Sequence, residues 1–312
     1  MKRFATAAFL FAALPVWAAD YTIMAPASPG GGWDQTARTM QAVMQQEGIS
    51  GNVQVTNVPG AGGTIGLAQF VNQSRGNPEA LLVGGYVMVG AILTNASPVD
   101  LSMVTPIARL TGEQEAIVVP ASSEIKTMAD LIEKLKADPG SVSWGGGSAG
   151  GTDHILAGLI AKAVGVDPTR INYIAYSGGG EALAAILGSQ VTAGISGLGE
   201  FESQIQAGTL RLLATSGSER AEGVDAPTLT EAGVDVNLEN WRMVAAAPGL
   251  TDEQVAAISA DIEKLATSPA WQAELAKRGW DDRYLAGPDF QQQLAADIEA
   301  TGAILKGIGL VQ

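Results

Sequence analysis

Ala25-Pro26-Ala27-Ser28-Pro29-Gly30-Gly31-Gly32-Trp33-Asp34 joins an apolar run, Tyr21-Thr22-Ile23-Met24, to a segment of helical periodicity. The apolar run reads as a buried strand. The prolines fix φ and remove backbone donors, and three consecutive glycines let a main chain approach a ligand with no Cβ in the way. A helix starting at Trp33-Asp34 turns its free N–H groups and positive dipole end back onto the loop, a ready anion site. An ordinary strand-to-helix turn needs only one or two glycines, so this stretch alone supports both readings. Its recurrence decides between them.

Working outward, Ala37, Met40, Val43 and Met44 have helical spacing over residues 33–47, and Gly48 sits where a helix C-terminus wants a glycine. Val53 to Val58 is a β-branched strand that runs into Pro59-Gly60-Ala61-Gly62-Gly63-Thr64, with Thr64 opening a helix over 65–72. A third apolar strand, 80–83, runs into Gly84-Gly85-Tyr86. Three strand–glycine loop–helix units in a row predict a parallel sheet with helices on its faces. Strands follow at 107–110 and 116–120. A helix from Met128 has Thr127 and Asp130 at capping-box spacing and stops at Asp138-Pro139-Gly140.

The rhythm then restarts. Strands at 141–144, 172–176 and 191–195 lead through loops 145–152, 177–180 and 196–199 into helices at 153–164, 181–187 and 200–207; a strand at 210–214 closes this half. The restart predicts two α/β lobes, residues 19–110 with 240–312 forming one and 111–239 the other. The chain resumes an apolar run at 243–247 and ends in amphipathic helices over 252–267, 269–278 and 288–308. Six glycine-rich loops that follow strands and precede helices lie beyond the strand carboxyl ends, where open α/β folds bind ligands. If the lobes face each other, the loops meet in one cleft.

Length and composition narrow the class. The 312 residues, 46% hydrophobic and 16% charged, are enough for one large or two medium α/β domains. Residues 1–18 read as a secretory signal peptide: Lys2 and Arg3, an apolar stretch from Phe4 to Pro15, then Val16-Trp17-Ala18. No later segment approaches the apolar length needed to span a bilayer. A cysteine-free exported chain suits a bacterial periplasm. Without Lys2 and Arg3, 16 basic residues stand against 32 acidic ones, a net charge of −16. That argues against nucleic acid and anionic membrane as partners, though not against a small anion held in a cleft. With His154 the only histidine, a zinc site is not expected, and neither is a cofactor.

Each sharper chemistry meets an objection. Gly145-Gly146-Gly147-Ser148-Ala149-Gly150 matches a dinucleotide loop, but the next strand ends in Tyr176-Ser177 without the acidic residue that binds ribose. Gly146-Gly147-Ser148-Ala149-Gly150 also matches a nucleophile elbow. There the histidine follows far downstream, whereas His154 lies one turn into the same helix. His154 is expected to donate a hydrogen bond to loop or ligand, or to pack. Asp34, Glu181 and Glu200 stand near helix starts, where carboxylates favour the dipole. Among Arg38, Arg109 and Arg242, the last is the preferred cleft cation, set against a lobe-bracing role of equal weight.

The ordered set Pro26 to Asp34, Asn57 to Gly66, Ser148 to His154, Tyr176-Ser177-Gly178-Gly179, Gly188 to Val191, Pro227 to Gly233 and Ala247-Pro248-Gly249 resembles the periplasmic substrate-binding receptors of tripartite tricarboxylate transporters. The resemblance spans nearly all of the mature chain. It implies a two-lobed periplasmic-binding-protein fold of type II, each lobe a mostly parallel sheet flanked by helices, closing on a small di- or tricarboxylate without chemistry. It further implies a monomer that delivers the ligand to membrane permease subunits driven by an ion gradient. Carried over residue by residue, the carboxylate contacts fall on Gly31, Gly32, Trp33, Asp34, on Ala61, Gly62, Gly63, Thr64, and on Ser148, Ala149, Gly150, Gly151, Thr152. Tyr86 stands where the family usually offers Thr or Ser, and Ser196-Gly197 where it often has Asp-Asn. Tyr176, Ser177, His154 and Arg242 complete the expected site. A ligand-sensing partner of a membrane histidine kinase and a periplasmic serine hydrolase are the alternatives.

Overall fold

Residues 19–312 are described by a computed structural model, so the signal peptide expected over 1–18 lies outside the described residues. Ile23 of β1 (Ala19–Ala25) pairs in register with Val55 of β2 (Ser50–Asn57) on one side and Leu81 of β3 (Ala80–Gly85) on the other, all parallel. Every residue of β3 is buried, as a strand with helices on both faces requires. The sheet continues through β10 (Arg242–Ala246), β4 (Thr105–Gly112) and β11 (Asp281–Ala286), giving the order β11-β4-β10-β3-β1-β2.

The second sheet has the order β7-β6-β8-β5-β9, from β5 (Glu115–Pro120), β6 (Ser143–Gly146), β7 (Asn172–Ala175), β8 (Ala193–Gly197) and β9 (Leu210–Thr215). In each sheet most strands point one way, while β10 and β11 in the first and β5 in the second run against their neighbours. The reversal follows from connectivity. The chain leaves the first sheet at the end of β4 and enters the second as β5, inserted between β8 and β9; it returns as β10, inserted between β3 and β4.

Helices α1 (Gly32–Gln46), α2 (Thr64–Gln73) and α3 (Tyr86–Thr94) follow β1, β2 and β3 directly. The stripe Ala37, Met40, Val43, Met44 on α1 is buried in the first core, each large side chain contributing about 1.5–3 kcal/mol. In the second lobe α4 (Met128–Ala137) begins with the expected capping box, in which Thr127 and Asp130 bond each other's backbone. Helices α5 (Thr152–Ala163), α6 (Gly179–Leu187) and α7 (Leu198–Gln206) follow β6, β7 and β8. The chain ends with α8 (Asp252–Thr267), α9 (Pro269–Arg278) and α10 (Gly287–Gly307). Between the last two runs β11, a charged edge strand that periodicity did not announce.

Two antiparallel segments bridge the sheets. The Glu113 N–H donates to the Asn240 carbonyl at 3.1 Å, and the Asn240 N–H returns the bond to Glu113 at 2.9 Å. The outgoing and returning crossings are thus zipped together at one point.

Candidate functional site

The loops that end the parallel strands converge from both sheets on one cavity. Pro26, Ala27, Gly31, Gly32 and Trp33 come from the loop after β1, and Gly60, Gly62 and Gly63 from the loop after β2. Opposite stand Gly147, Ser148, Gly151 and Asp153 after β6, Ser177, Gly178 and Gly179 after β7, and Ser196 and Glu200 at β8–α7. Val87, Asn240 and Arg242 complete the wall. The cavity measures about 70 Å³. At about 10–15 Å³ per enclosed water it takes a ligand of only a few heavy atoms.

Backbone donors dominate this wall. The residues preceding α1, α5 and α6 are Gly31, Gly151 and Gly178, and none of the three helices carries a side-chain cap. Their first N–H groups are left for a ligand, with the positive end of each dipole behind them. Gly63 has φ +88°, and a Cβ there would lie 2.6 Å from the Trp33 ring, so only glycine lets the loop pass that wall. Likewise a Cβ on Gly32 would lie 2.3 Å from Arg242 Nη2. The guanidinium therefore rests against the first residue of α1.

The site is also richly ionisable. Arg242, 2% exposed, pairs through Nη2 with Glu113 Oε2 and lies 5.1 Å from the Trp280 ring centroid. Burial works against its charge, and Glu113 and Glu200 outweigh it. Burial pushes Glu200 up to about 8 and Asp153 up to about 6, with Glu113 adding repulsion to each. Glu115 is fully buried with both carboxyl oxygens unpartnered, and burial, then Asp153 and Glu113, raise it well above the carboxylate range. It is held neutral.

Of the residues expected at the site, Gly31, Gly32, Trp33, Gly62, Gly63, Ser148, Gly151, Ser177, Ser196 and Arg242 line the cavity. Ala61, Ala149 and Tyr176 line an adjoining outer cleft with Gly60 and Ser148. Others lie behind the wall. Asp34 is 3% exposed and accepts from the Gly30 N–H, the Asn57 amide and Arg38, so its carboxylate anchors the loop before α1. The Thr64 hydroxyl donates to the Ala61 carbonyl, Thr152 is fully buried, and Tyr86 packs edge-on against Trp241 with its hydroxyl towards Thr301. His154 Nδ1 accepts the Gly150 N–H at 3.2 Å while its ring stacks on Tyr173. Of the two roles expected of His154, packing is the one seen: burial lowers it to about 4, and the neutral ring stacks and accepts at Nδ1. That bond spends the nitrogen a serine nucleophile would need, and among the described residues no cluster of metal-ligating side chains occurs.

Residues 36–310 match the family described as the tripartite tricarboxylate transporter family receptor. The chain belongs to that family. Its members are solute-binding receptors rather than enzymes. The receptor is 28% identical over 297 residues to the protein BugT of Bordetella pertussis, covering 91% of this chain and 90% of that one. Its fold is that of the periplasmic binding protein BugD (TM-score 0.84, 20% identity, 94% and 98% of the two chains). It also resembles MatC of Rhodopseudomonas palustris with bound malate (TM-score 0.79, 21% identity, 94% and 100%). Among the described residues of the receptor no helix is long and apolar enough to cross a membrane.

Sequence reasoning missed Glu113, Asp153, Glu200 and Asn240 as site residues. The polar stretch Gly112-Glu113-Gln114-Glu115 between two apolar strands was the available signal, because a carboxylate inside a β-to-β connection has no turn to make there.

Proposed function

We propose that this chain is a periplasmic receptor that captures a small organic carboxylate and delivers it to the membrane subunits of a tripartite tricarboxylate transporter. One observation carries the reading: uncapped glycine helix starts from two separate sheets face a single cavity with Arg242 in its wall. Backbone N–H groups and a guanidinium recognise a carboxylate by geometry as well as charge. MatC's malate supports the same class. We take residues 19–110 with 240–312 as one lobe and 111–239 as the other, with the paired crossings at Glu113 and Asn240 as the hinge. A ligand touching both lobes stabilises the closed form by its differential affinity alone, and the permease reads closure. Residues 1–18 direct export and are removed, and the mature protein acts as a monomer.

The test is a melting-temperature screen against a broad panel of organic acids, on protein unfolded and refolded to strip carried-over ligand. A binder at one hundred times its Kd adds about 2.7 kcal/mol and raises the melting temperature by several degrees. A flat panel overturns the reading. N-terminal sequencing of protein recovered from the periplasm checks the cleavage after residue 18.

A further inference from the structure

The cavity wall carries more acid than its one cation can balance. Arg242 on β10 pairs through Nη2 with Glu113 and keeps Nη1 buried and unpartnered. Around that pair stand Glu115 at the start of β5, Asp153 on α5 and Glu200 on α7, the last two lining the cavity itself. Tyr173 on β7 faces Asp153 and Glu115, and burial holds its hydroxyl neutral. Glu113, Glu115, Asp153 and Glu200 thus share one guanidinium, and an anionic ligand adds to the excess.

The partners of each carboxyl decide which of them carries charge. Glu113 has Arg242 and the Gly199 N–H. Asp153 accepts the Gly147 N–H and, raised by burial only to about 6, is ionised at neutral pH. Glu115 is fully buried with no partner and stays neutral. Glu200 differs from all three, because it lines the cavity while its Oε2 is buried and unpartnered. A Cβ on Gly179 would come within 1.7 Å of that oxygen, so it lies against the start of α6, yet no N–H of the helix donates to it. Burial, then Glu113 and Asp153, oppose its charge and outweigh Arg242 and Ser196. A carboxyl oxygen that no donor reaches is best occupied by a proton, and the O–H so formed needs an acceptor.

Resting on the carboxylate reading above, we propose that Glu200 grips the ligand in its protonated form, its Oε2–H donating to the ligand carboxylate while Arg242 Nη1 donates from the other sheet. Two side-chain donors, one from each sheet, then add to the glycine-loop N–H groups. A carboxylic acid bonded to a carboxylate makes a short, charge-assisted hydrogen bond. Capture is proton-linked as a result. The bound anion makes an ionised Glu200 more costly, so the complex keeps the proton to higher pH than the free receptor does. Free Glu200 loses its proton at about 8. Well below that pH binding takes up no proton here, and above it each ligand draws one from the solvent.

The test is calorimetric titration of the refolded protein with propionate, L-lactate, succinate, L-malate and tricarballylate, whose carboxyls stay ionised between pH 7.5 and 9. The tightest binder of the set should weaken by about tenfold across that range. Titrations in buffers of different ionisation enthalpy should show about one proton taken up per ligand at pH 9 and almost none at pH 7. In Glu200→Gln, whose amide donates at every pH, both the slope and the uptake should vanish. Wild-type affinity that is flat with pH overturns the proposal and leaves the carboxylate receptor standing. Affinity that rises with pH does the same, since the ionised carboxyl would then be the binding form. A slope that persists in Glu200→Gln assigns the proton to another group and overturns it too. So does tighter binding by Glu200→Gln than by wild type at pH 7.5, which would show that the carboxyl repels its ligand. If no acid of the set binds, the carboxylate reading falls with it. Should Glu200→Gln not refold, the wild-type proton uptake at pH 9 decides alone.

Discussion

Glu113 and Arg242 tie the two inter-lobe crossings together as a buried ion pair, neither side chain more than 2% exposed. Glu113 Oε1 also accepts the Gly199 N–H at 2.9 Å, so one carboxylate holds both the returning crossing and the start of α7. Removing one partner of such a pair strands a charge in low dielectric, whereas replacing both with apolar groups does not. Glu113→Ala or Arg242→Ala should therefore lower stability by about 3–5 kcal/mol in urea unfolding. The double variant Glu113→Leu/Arg242→Met should recover most of that loss. Single losses that simply add in the double variant would show that the charges act independently.

Asp34 is fixed by three neighbours: the Gly30 N–H at 2.9 Å, the Asn57 amide at 2.9 Å and Arg38 at 3.0 Å. Burial opposes its charge, but Arg38, Gly30 and Asn57 together hold its carboxyl below the usual range. Its contribution is present at neutral pH and fades as pH falls through the carboxylate range. Asp34→Ala should cost about 2–3 kcal/mol, the loss of charge-assisted bonds at a buried site. Because Asp34 lies behind the cavity wall, Asp34→Asn, which keeps the shape, should leave ligand affinity within about threefold. A loss of binding without a loss of stability would place Asp34 on the ligand instead.

How much of this was legible in the sequence follows from how local each signal is. Glycine loops, the capping box at Thr127 and Asp130, and helices such as 252–267 and 269–278 are written within a few residues, and all were read. The strand Asp281–Ala286 was not, since an edge strand exposed to water needs no apolar alternation. Glu113, Asp153 and Glu200 are far apart in the chain and meet only because β5 is inserted beside β8 and β10 beside β4. Asp34 and Glu200 carried the same helix-start signature and diverged in fate. Asn57 and Arg38 lie beside the first, and the cavity lies beside the second.

Gly90 of α3 meets Gly150 across the cleft. A Cβ on Gly90 would lie 2.0 Å from the Gly150 carbonyl oxygen, a backbone atom that cannot swing aside. The contact lies where α3 of one sheet's layer approaches the loop before α5 of the other, so under the proposed closure it is a point at which the two sides meet. Gly90→Val should hold them apart and weaken binding of any acid found in the melting screen by at least about tenfold, since the cavity is lined from both sheets and a ligand bridging them favours the closed state. Small-angle scattering separates this from simple unfolding. The saturated wild type should be more compact than the variant under the same ligand, and equal radii of gyration would refute the closure argument.

His154 ties the Gly150 loop to Tyr173, whose ring lies 4.1 Å away and nearly parallel. Burial lowers the imidazole from 6.5 to about 4, so the folded protein favours the neutral ring. The stability this provides is complete above about pH 6.5 and is lost as pH falls through 4, amounting to at most about 3 kcal/mol. Protonation at Nδ1 also destroys the acceptor for the Gly150 N–H, freeing a loop that meets both the cavity and Thr94 of α3. His154→Phe keeps the stack but cannot titrate. The stability advantage of wild type over His154→Phe should therefore shrink by about 3 kcal/mol or less between pH 7.5 and 4, measured by urea unfolding at each pH. Other acidic groups titrate alike in both proteins and cancel in the difference. A difference that stays constant over this range would mean that His154 titrates normally in the fold and that its ring is not held neutral by burial.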